Sequence, residues 1–210
     1  MDELQLRTDV LGIAREMNSC GLNQGTSGNL SVRWGDGFLL TPSALPYDVC
    51  EPEDLVFMDM DGQGKGKRKP SSEWRMHRDM YLARPEAGCV LHAHPIWCTT
   101  LACLERDIPP FHYMVAVAGG ESVPCAPYRL FGSQELSDAI LETMKGRRAC
   151  LLAHHGLVCC TESLDTILPL AIEIETLAKI YVQALQIQEP PLLSQEQMDQ
   201  VKERFTSYRP

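Results

Sequence analysis

With 210 residues and 44% hydrophobic content, the chain can bury one sizeable core. No shift in composition divides it, so a single domain over residues 1–210 is expected. A formal charge of −9 at pH 7 excludes a broad basic face, and with it nucleic acid or an anionic membrane as partner. Nine cysteines, an odd number without any Cys-x-x-Cys pair, sit mostly in apolar runs and read as small buried hydrophobes of a reducing, cytoplasmic protein.

The start, Met1-Asp2-Glu3, is acidic and passes into an amphipathic pattern, which predicts neither a signal peptide nor a membrane span. Leu4, Val10, Leu11, Ala14 and Met17 recur at helical spacing up to Cys20, with Gly21 as a stop. Gly25-Thr26-Ser27-Gly28-Asn29 reads as a plain turn or as an anion cradle. Residues 29–34 and 38–41 flank Gly35-Asp36-Gly37 as a hairpin, and 55–59 form a further strand. The basic run Lys65-Gly66-Lys67-Arg68-Lys69 follows a turn sequence and reads as a solvated hairpin loop.

Ser71 or Ser72 can cap a helix over 73–84 that Pro85 closes, placing Glu73 in its first turn. Apolar runs at 89–94 and 149–153 read as buried strands. Helices are expected over 95–104, 133–144 and 162–187, the last with Leu164, Ile167, Leu168, Ala171, Ile174, Leu177 and Ala178 on one face. Pro169 inside it predicts a kink or an early break. Ser194-x-x-Gln197 is a capping-box start for a last helix. Strands joined partly by tight turns and partly by helices predict a mixed or mainly antiparallel sheet covered by helices.

Chemistry concentrates in three places. His92 and His94 are two apart in a strand, so both rings leave one face, as a chelating pair requires. His155 follows the second apolar run and supplies a third nitrogen if the two strands lie near each other in one sheet. Glu73 adds a carboxylate. Three imidazoles and a carboxylate fit a catalytic zinc site that keeps a position open, and they suit manganese or cobalt as well. His154 points opposite to His155 by strand alternation and is read as structural or as a support behind the ligands. Ser71-Ser72 offers hydroxyls and free N–H groups at a helix start, and a phosphate held there would tether a substrate beside the metal.

Gly21 to Ser31, Thr41-Pro42-Ser43, Pro70-Ser71-Ser72-Glu73-Trp74, His92-x-His94, Phe111-His112-Tyr113-Met114 with Ala118-Gly119-Gly120, and His154-His155-Gly156-Leu157 together resemble the class II aldolase/adducin family. The resemblance spans about residues 5–205. It implies an α/β fold, a three-layer α/β/α sandwich with a mainly antiparallel central sheet. It also implies a homotetramer with active sites at subunit interfaces and one zinc ion per subunit.

Glu73, His92, His94 and His155 match metal-binding positions. Glu73 also matches the acid/base, and Tyr113 a tyrosine reaching in from a neighbouring subunit. Thr26, Gly28, Asn29, Ser43, Ala44, Ser71 and Ser72 match phosphate-binding positions, and Phe131 an aromatic on the aldehyde side. Phe205 and Tyr208 resemble C-terminal aromatics. Ala44 stands where the family pattern has glycine, and Ser43 where it has threonine.

The activity implied is cleavage of a 2-ketose 1-phosphate (L-fuculose 1-phosphate, 5-deoxyribulose 1-phosphate or 5-methylthioribulose 1-phosphate) to dihydroxyacetone phosphate and a small aldehyde. An aldehyde pocket of mostly apolar surface predicts a preference for small, apolar-ended aldehydes. Within the family, a methylthioribulose-1-phosphate dehydratase shares the metal and the glutamate. A pentulose-phosphate 4-epimerase carries aspartate at position 73. An adducin-like binding domain lacks the histidines.

Overall fold

The computed structural model describes residues 2–207, so Tyr208 lies outside the described residues. Its centre is one eight-stranded sheet. The strands are β1 (Asn29–Trp34), β2 (Gly37–Leu40), β3 (Val56–Asp59), β4 (Gly64–Lys65), β5 (Cys89–Ala93), β6 (Cys125–Ala126), β7 (Ala149–Leu152) and β8 (Gly156–Thr161), in the spatial order β4-β3-β2-β1-β5-β8-β7-β6. Every neighbouring pair is antiparallel except β6 with β7.

Helices α1 (Glu3–Ser19), α3 (Ile96–Cys103) and α5 (Leu164–Leu185) cover one face, and α2 (Trp74–Ala83) and α4 (Gln134–Thr143) the other. A final helix, α6 (Gln195–Ser207), lies near a 3-10 segment at Tyr113–Ala118. The result is the three-layer sandwich with a mainly antiparallel sheet. Central strands buried on both faces explain why β5, β7 and β8 read as unbroken apolar runs. Two core layers follow, one on each side of the sheet. The first gathers Leu11, Leu91, Leu157 and Ile174, and the second Phe38, Met80, Ile140 and Val158.

Local signals set most element ends. Asp2 Oδ1 accepts from the Gln5 N–H, and Ser133 Oγ from the Leu136 N–H. Ser194 and Gln197 exchange the two bonds of a capping box. In α1, Leu6 rather than Leu4 faces the core, because Leu4 lies in the first turn and is 57% exposed.

Several expectations are corrected. Neither Ser71 nor Ser72 caps α2 as an N-cap residue. The helix begins at Trp74 with Glu73 as the residue before it, so Glu73 precedes the first turn rather than lying in it, while Ser71 Oγ accepts from the Glu73 N–H at 3.3 Å. Pro169 does not break α5, which runs from Leu164 to Leu185. Burial of Ile167, Leu168, Ala171 and Ile174 against the sheet offsets the lost backbone bond. The basic run is exposed in a hairpin, as expected, and part of it makes contacts besides. Gly64 and Lys65 form an edge strand, and Lys67 Nζ and Arg68 Nε approach Asp54 Oδ1 at 3.2 and 2.8 Å. Those contacts hold the buried Asp54 carboxyl down at about 2.

Candidate metal and phosphate site

One end of the sheet carries the chemistry. His92 is the fourth residue of β5 and His94 follows the strand, while His155 sits in the tight turn between β7 and β8. Because β8 pairs with β5 with Ala93 opposite Leu157, that turn lies over the end of β5. The ring centroids of the three histidines are 4.7–4.9 Å apart, and one nitrogen of each lies within 4.8 Å of the others. His154 stays outside this cluster, though not by strand alternation. The strand has ended at Leu152, and His154 adopts φ 55 with its ring against Glu105 at 3.1 Å.

Glu73 meets the cluster from the other side. Its Oε2 lies 3.2 Å from His92 Nε2 and its Oε1 3.4 Å from His155 Nε2. The fit to a cation follows from the donors. His92 Nδ1 donates to the Leu157 carbonyl at 2.9 Å, so Nε2 carries the lone pair, and it faces His94 Nε2 at 2.9 Å.

Burial pushes the His92 pKa down to about 3. His94 and His155 are also lowered, first by burial, with repulsion from the neighbouring rings acting further on His155. Three neutral imidazoles thus bring one ring nitrogen each to one point, and among the described residues Glu73 Oε1, buried there, has no hydrogen-bond partner. Such a set suits a cation, and its nitrogen and carboxylate donors fit zinc or a similar divalent ion.

Beside the cluster a cavity of about 450 Å³ is walled by Thr26, Ser27, Gly28, Asn29, Pro42, Ser43, Ala44, Ser71, Ser72 and Glu73 on one side. Its far wall brings His94, His155, Tyr128, Arg129, Phe131 and His154. The volume suits a small phosphorylated molecule. The loops of the first wall are tied together. Ser43 N–H donates to the Lys69 carbonyl at 3.0 Å, and Tyr47 OH to the Gly28 carbonyl at 3.0 Å. Gly28 holds φ +78 with the Asn23 side chain so close that a β-carbon would lie 2.3 Å from its nitrogen. Asn23 Oδ1 in turn accepts from the His94 N–H at 3.1 Å, joining the glycine-rich loop to the histidines. Ala44 takes the left-handed conformation, φ 55, that glycine would take without strain.

All the residues expected at the metal and phosphate positions therefore meet in one place, and Phe131 closes the opposite rim at 62% exposure. Tyr113 does not. It is 49% exposed in the 3-10 segment, stacked edge-on to Phe205 at 6.4 Å, and neither ring is among the cavity walls. The far wall is also less uniformly apolar than expected, because Arg129 and His154 join the aromatic rings. Sequence reading missed Asn23, Tyr128, Arg129 and the wall position of His154. Tyr128 and Arg129 lie in an irregular loop between β6 and α4 where no periodicity marks a role, whereas Asn23 has a signal in its place beside the Gly25–Asn29 turn.

Comparisons with known proteins agree with this geometry. The pattern of the class II aldolase and adducin N-terminal domain matches residues 8–182. A 5-methylthioribulose-1-phosphate/5-deoxyribulose-1-phosphate aldolase of Rhodospirillum rubrum is 49% identical over 205 residues, covering 98% of this chain and 93% of that protein. An L-fuculose phosphate aldolase of Escherichia coli K12 is 45% identical over 209 residues, covering 99% and 97%. A solved L-fuculose 1-phosphate aldolase superposes with a TM-score of 0.93 at 36% identity, covering 96% of each chain. By fold, site geometry and similarity over nearly its whole length, the chain belongs to the class II aldolase and adducin N-terminal domain family.

Proposed function

We propose that the protein is a metal-dependent aldolase that reversibly cleaves a 2-ketose 1-phosphate into dihydroxyacetone phosphate and a small aldehyde. The observation that carries this reading is one cavity in which the cluster of His92, His94 and His155 with Glu73 adjoins a wall of hydroxyl and amide groups. Thr26, Gly28, Asn29, Ser43, Ala44, Ser71 and Ser72 bind the phosphate through hydroxyls, backbone N–H groups and the start of α2. His92, His94, His155 and Glu73 hold a zinc ion, or manganese or cobalt in its place. When bound, the ion supplies Lewis acidity that polarises the substrate carbonyl and offsets the negative charge developed on bond cleavage.

The residues do the rest. The C4 hydroxyl gives up its proton as the C3–C4 bond breaks and the aldehyde departs, and Glu73 delivers a proton to C3, which completes dihydroxyacetone phosphate. Tyr113, exposed and away from the cavity of its own chain, takes the C4 hydroxyl proton in the cavity of a neighbouring copy, within a homotetramer whose sites lie at subunit interfaces. Its partner aromatic Phe205 lies beside it in the same chain. Phe131 and Tyr128 meet the aldehyde. The free state of all nine cysteines suits a reducing cytoplasm. Three relatives named for 5-deoxyribulose 1-phosphate support a salvage role for 5-deoxypentose phosphates.

The test is kcat/KM for L-fuculose 1-phosphate, 5-deoxyribulose 1-phosphate and 5-methylthioribulose 1-phosphate, with product analysis. Triose phosphate plus lactaldehyde, acetaldehyde or methylthioacetaldehyde is expected. A diketone product assigns a dehydratase instead, an epimerised pentulose phosphate a 4-epimerase, and absence of bound metal an adducin-like binding role.

A further inference from the structure

Behind the cavity, a line of buried polar side chains leads away from Glu73 into the sandwich. Asn29 Nδ2 donates to Glu73 Oε2 at 3.0 Å, and Asn29 Oδ1 lies 2.5 Å from His77 Nε2. His77 Nδ1 lies 2.7 Å from Ser31 Oγ, which lies 2.8 Å from the Tyr81 hydroxyl. None of Asn29, Ser31, His77 and Tyr81 is more than 3% exposed, so water does not compete for these bonds. The line follows from two periodicities. Asn29 and Ser31 are two apart on β1 and share a face, while Glu73, His77 and Tyr81 are four apart and form one stripe along α2.

The donors can be ordered along the whole line. The Glu73 carboxylate only accepts, so Asn29 turns its NH2 toward it and its carbonyl oxygen toward His77. His77 then carries its hydrogen on Nε2 and presents a bare Nδ1, which takes the Ser31 hydroxyl hydrogen. Ser31 Oγ accepts from Tyr81, whose ring lies under the Arg33 guanidinium at 4.8 Å. Burial keeps the imidazole neutral. Reversing any link leaves two donors or two acceptors facing each other in a dry interior, which costs the full desolvation of an unpaired group.

We infer that His77, as its Nε2–H tautomer, is a positioning residue that locks the Asn29 amide onto Glu73 Oε2 and so leaves Oε1 as the oxygen that exchanges the proton. Among the described residues, Oε1 is the carboxylate oxygen without a hydrogen-bond partner, and it faces His155 at 3.4 Å. A proton on Oε2 would meet the Asn29 NH2 head on. The inference rests on the acid–base reading of Glu73, but the tautomer and the amide orientation do not.

The experiment therefore has two arms on the metal-loaded protein. Nitrogen-15 NMR of histidine-labelled protein should show His77 with Nε2 protonated and Nδ1 bare between pH 6 and 8, and an Nδ1–H tautomer overturns the inference whatever the enzyme's substrate. In the second arm, His77→Leu is expected to lower kcat about 10–100-fold, with KM within about two-fold and metal content unchanged. His77→Gln, whose amide nitrogen can reach the place of Nε2, should recover most of that loss. A His77→Leu enzyme with unchanged kcat overturns the positioning role. Should His77→Leu fail to fold, Ser31→Ala removes the donor to Nδ1 together with the acceptor of the Tyr81 hydroxyl. It should mix the His77 tautomers and lower the rate at which the hydroxymethyl proton of dihydroxyacetone phosphate exchanges with solvent, and an unchanged exchange rate overturns the inference.

Discussion

Gly156 lies so close to Ala93 that a β-carbon built on it would sit 2.4 Å from the Ala93 carbonyl oxygen and 2.9 Å from His94 Cδ2. No side chain fits between β8 and β5 at the point where the histidine cluster forms. Gly156→Ala must push the end of β5 outward and His94 with it. We expect a stability loss of about 1–3 kcal/mol and a fall in bound metal, read by denaturant titration and elemental analysis. Gly12→Ala is the control. Its β-carbon meets nothing within 4 Å in the middle of α1, so stability should rise by about 0.5–1 kcal/mol. Full metal content in Gly156→Ala would show that the close approach is not what holds His94.

Removal of single donors separates holding the metal from moving the proton. His92→Ala or His155→Ala takes one of three convergent nitrogens, and the purified variant should contain little metal. Glu73→Gln keeps an oxygen for the site but cannot exchange a proton. It should keep most of its metal while turnover falls by about two orders of magnitude or more. Elemental analysis and steady-state rates on the same preparations decide the matter, and full zinc in His92→Ala would sink the ligand assignment.

Ala44 carries strain that its neighbours do not. A left-handed alanine costs about 1–2 kcal/mol, and glycine returns about 0.5–1 kcal/mol of that through its freer unfolded chain. Ala44→Gly should therefore stabilise the protein by about 0.5–1 kcal/mol, with KM for the phosphorylated substrate little changed. A lowered melting temperature would show that the methyl group makes a contact worth more than the strain.

Acid should unfold the metal-stripped protein early. His77 and His92 are fully buried and held down to about 3, against an ordinary value of 6.5, so the unfolded chain binds protons first as pH falls. Their neutral burial is fully compatible with stability above pH 6.5, and stability declines from there toward pH 3. The slope contributed is about 1.4 kcal/mol per pH unit for each histidine. Urea midpoints measured across pH 4–7 should show it, and His77→Gln should remove one histidine's share. A flat profile would mean that these rings already carry protons.

The histidine cluster could be read from the sequence because His92 and His94 leave one face of an apolar strand and His155 follows a second such run. What joined them could not. Strand β8 is buried at all six residues and shows no alternation, so the pairing that carries the His155 turn over the end of β5 has no local mark. Lys67 and Arg68 looked solvated because their partner Asp54 is buried 13 and 14 residues earlier. His77 looked like one more polar helical residue, since its partners Asn29 and Ser31 belong to a strand more than 40 residues away. Pro169 misled because local propensity is weak against the burial of a whole helix face.

Asn29 and His92 face each other as one rung of the β1–β5 ladder. The separation between the Gly28–Asn29 wall and the imidazoles is therefore set by hydrogen-bonded backbone in the middle of the sheet, and no side-chain exchange nearby can lengthen it. The loop from Pro127 to Phe131 is bound by no such rung and lies exposed across the cavity. Redesign of the cavity thus has a free variable at residues 128–131 and a fixed ruler behind them: the exposed side can be reshaped, but the spacing from the Gly28–Asn29 loop to the histidines cannot.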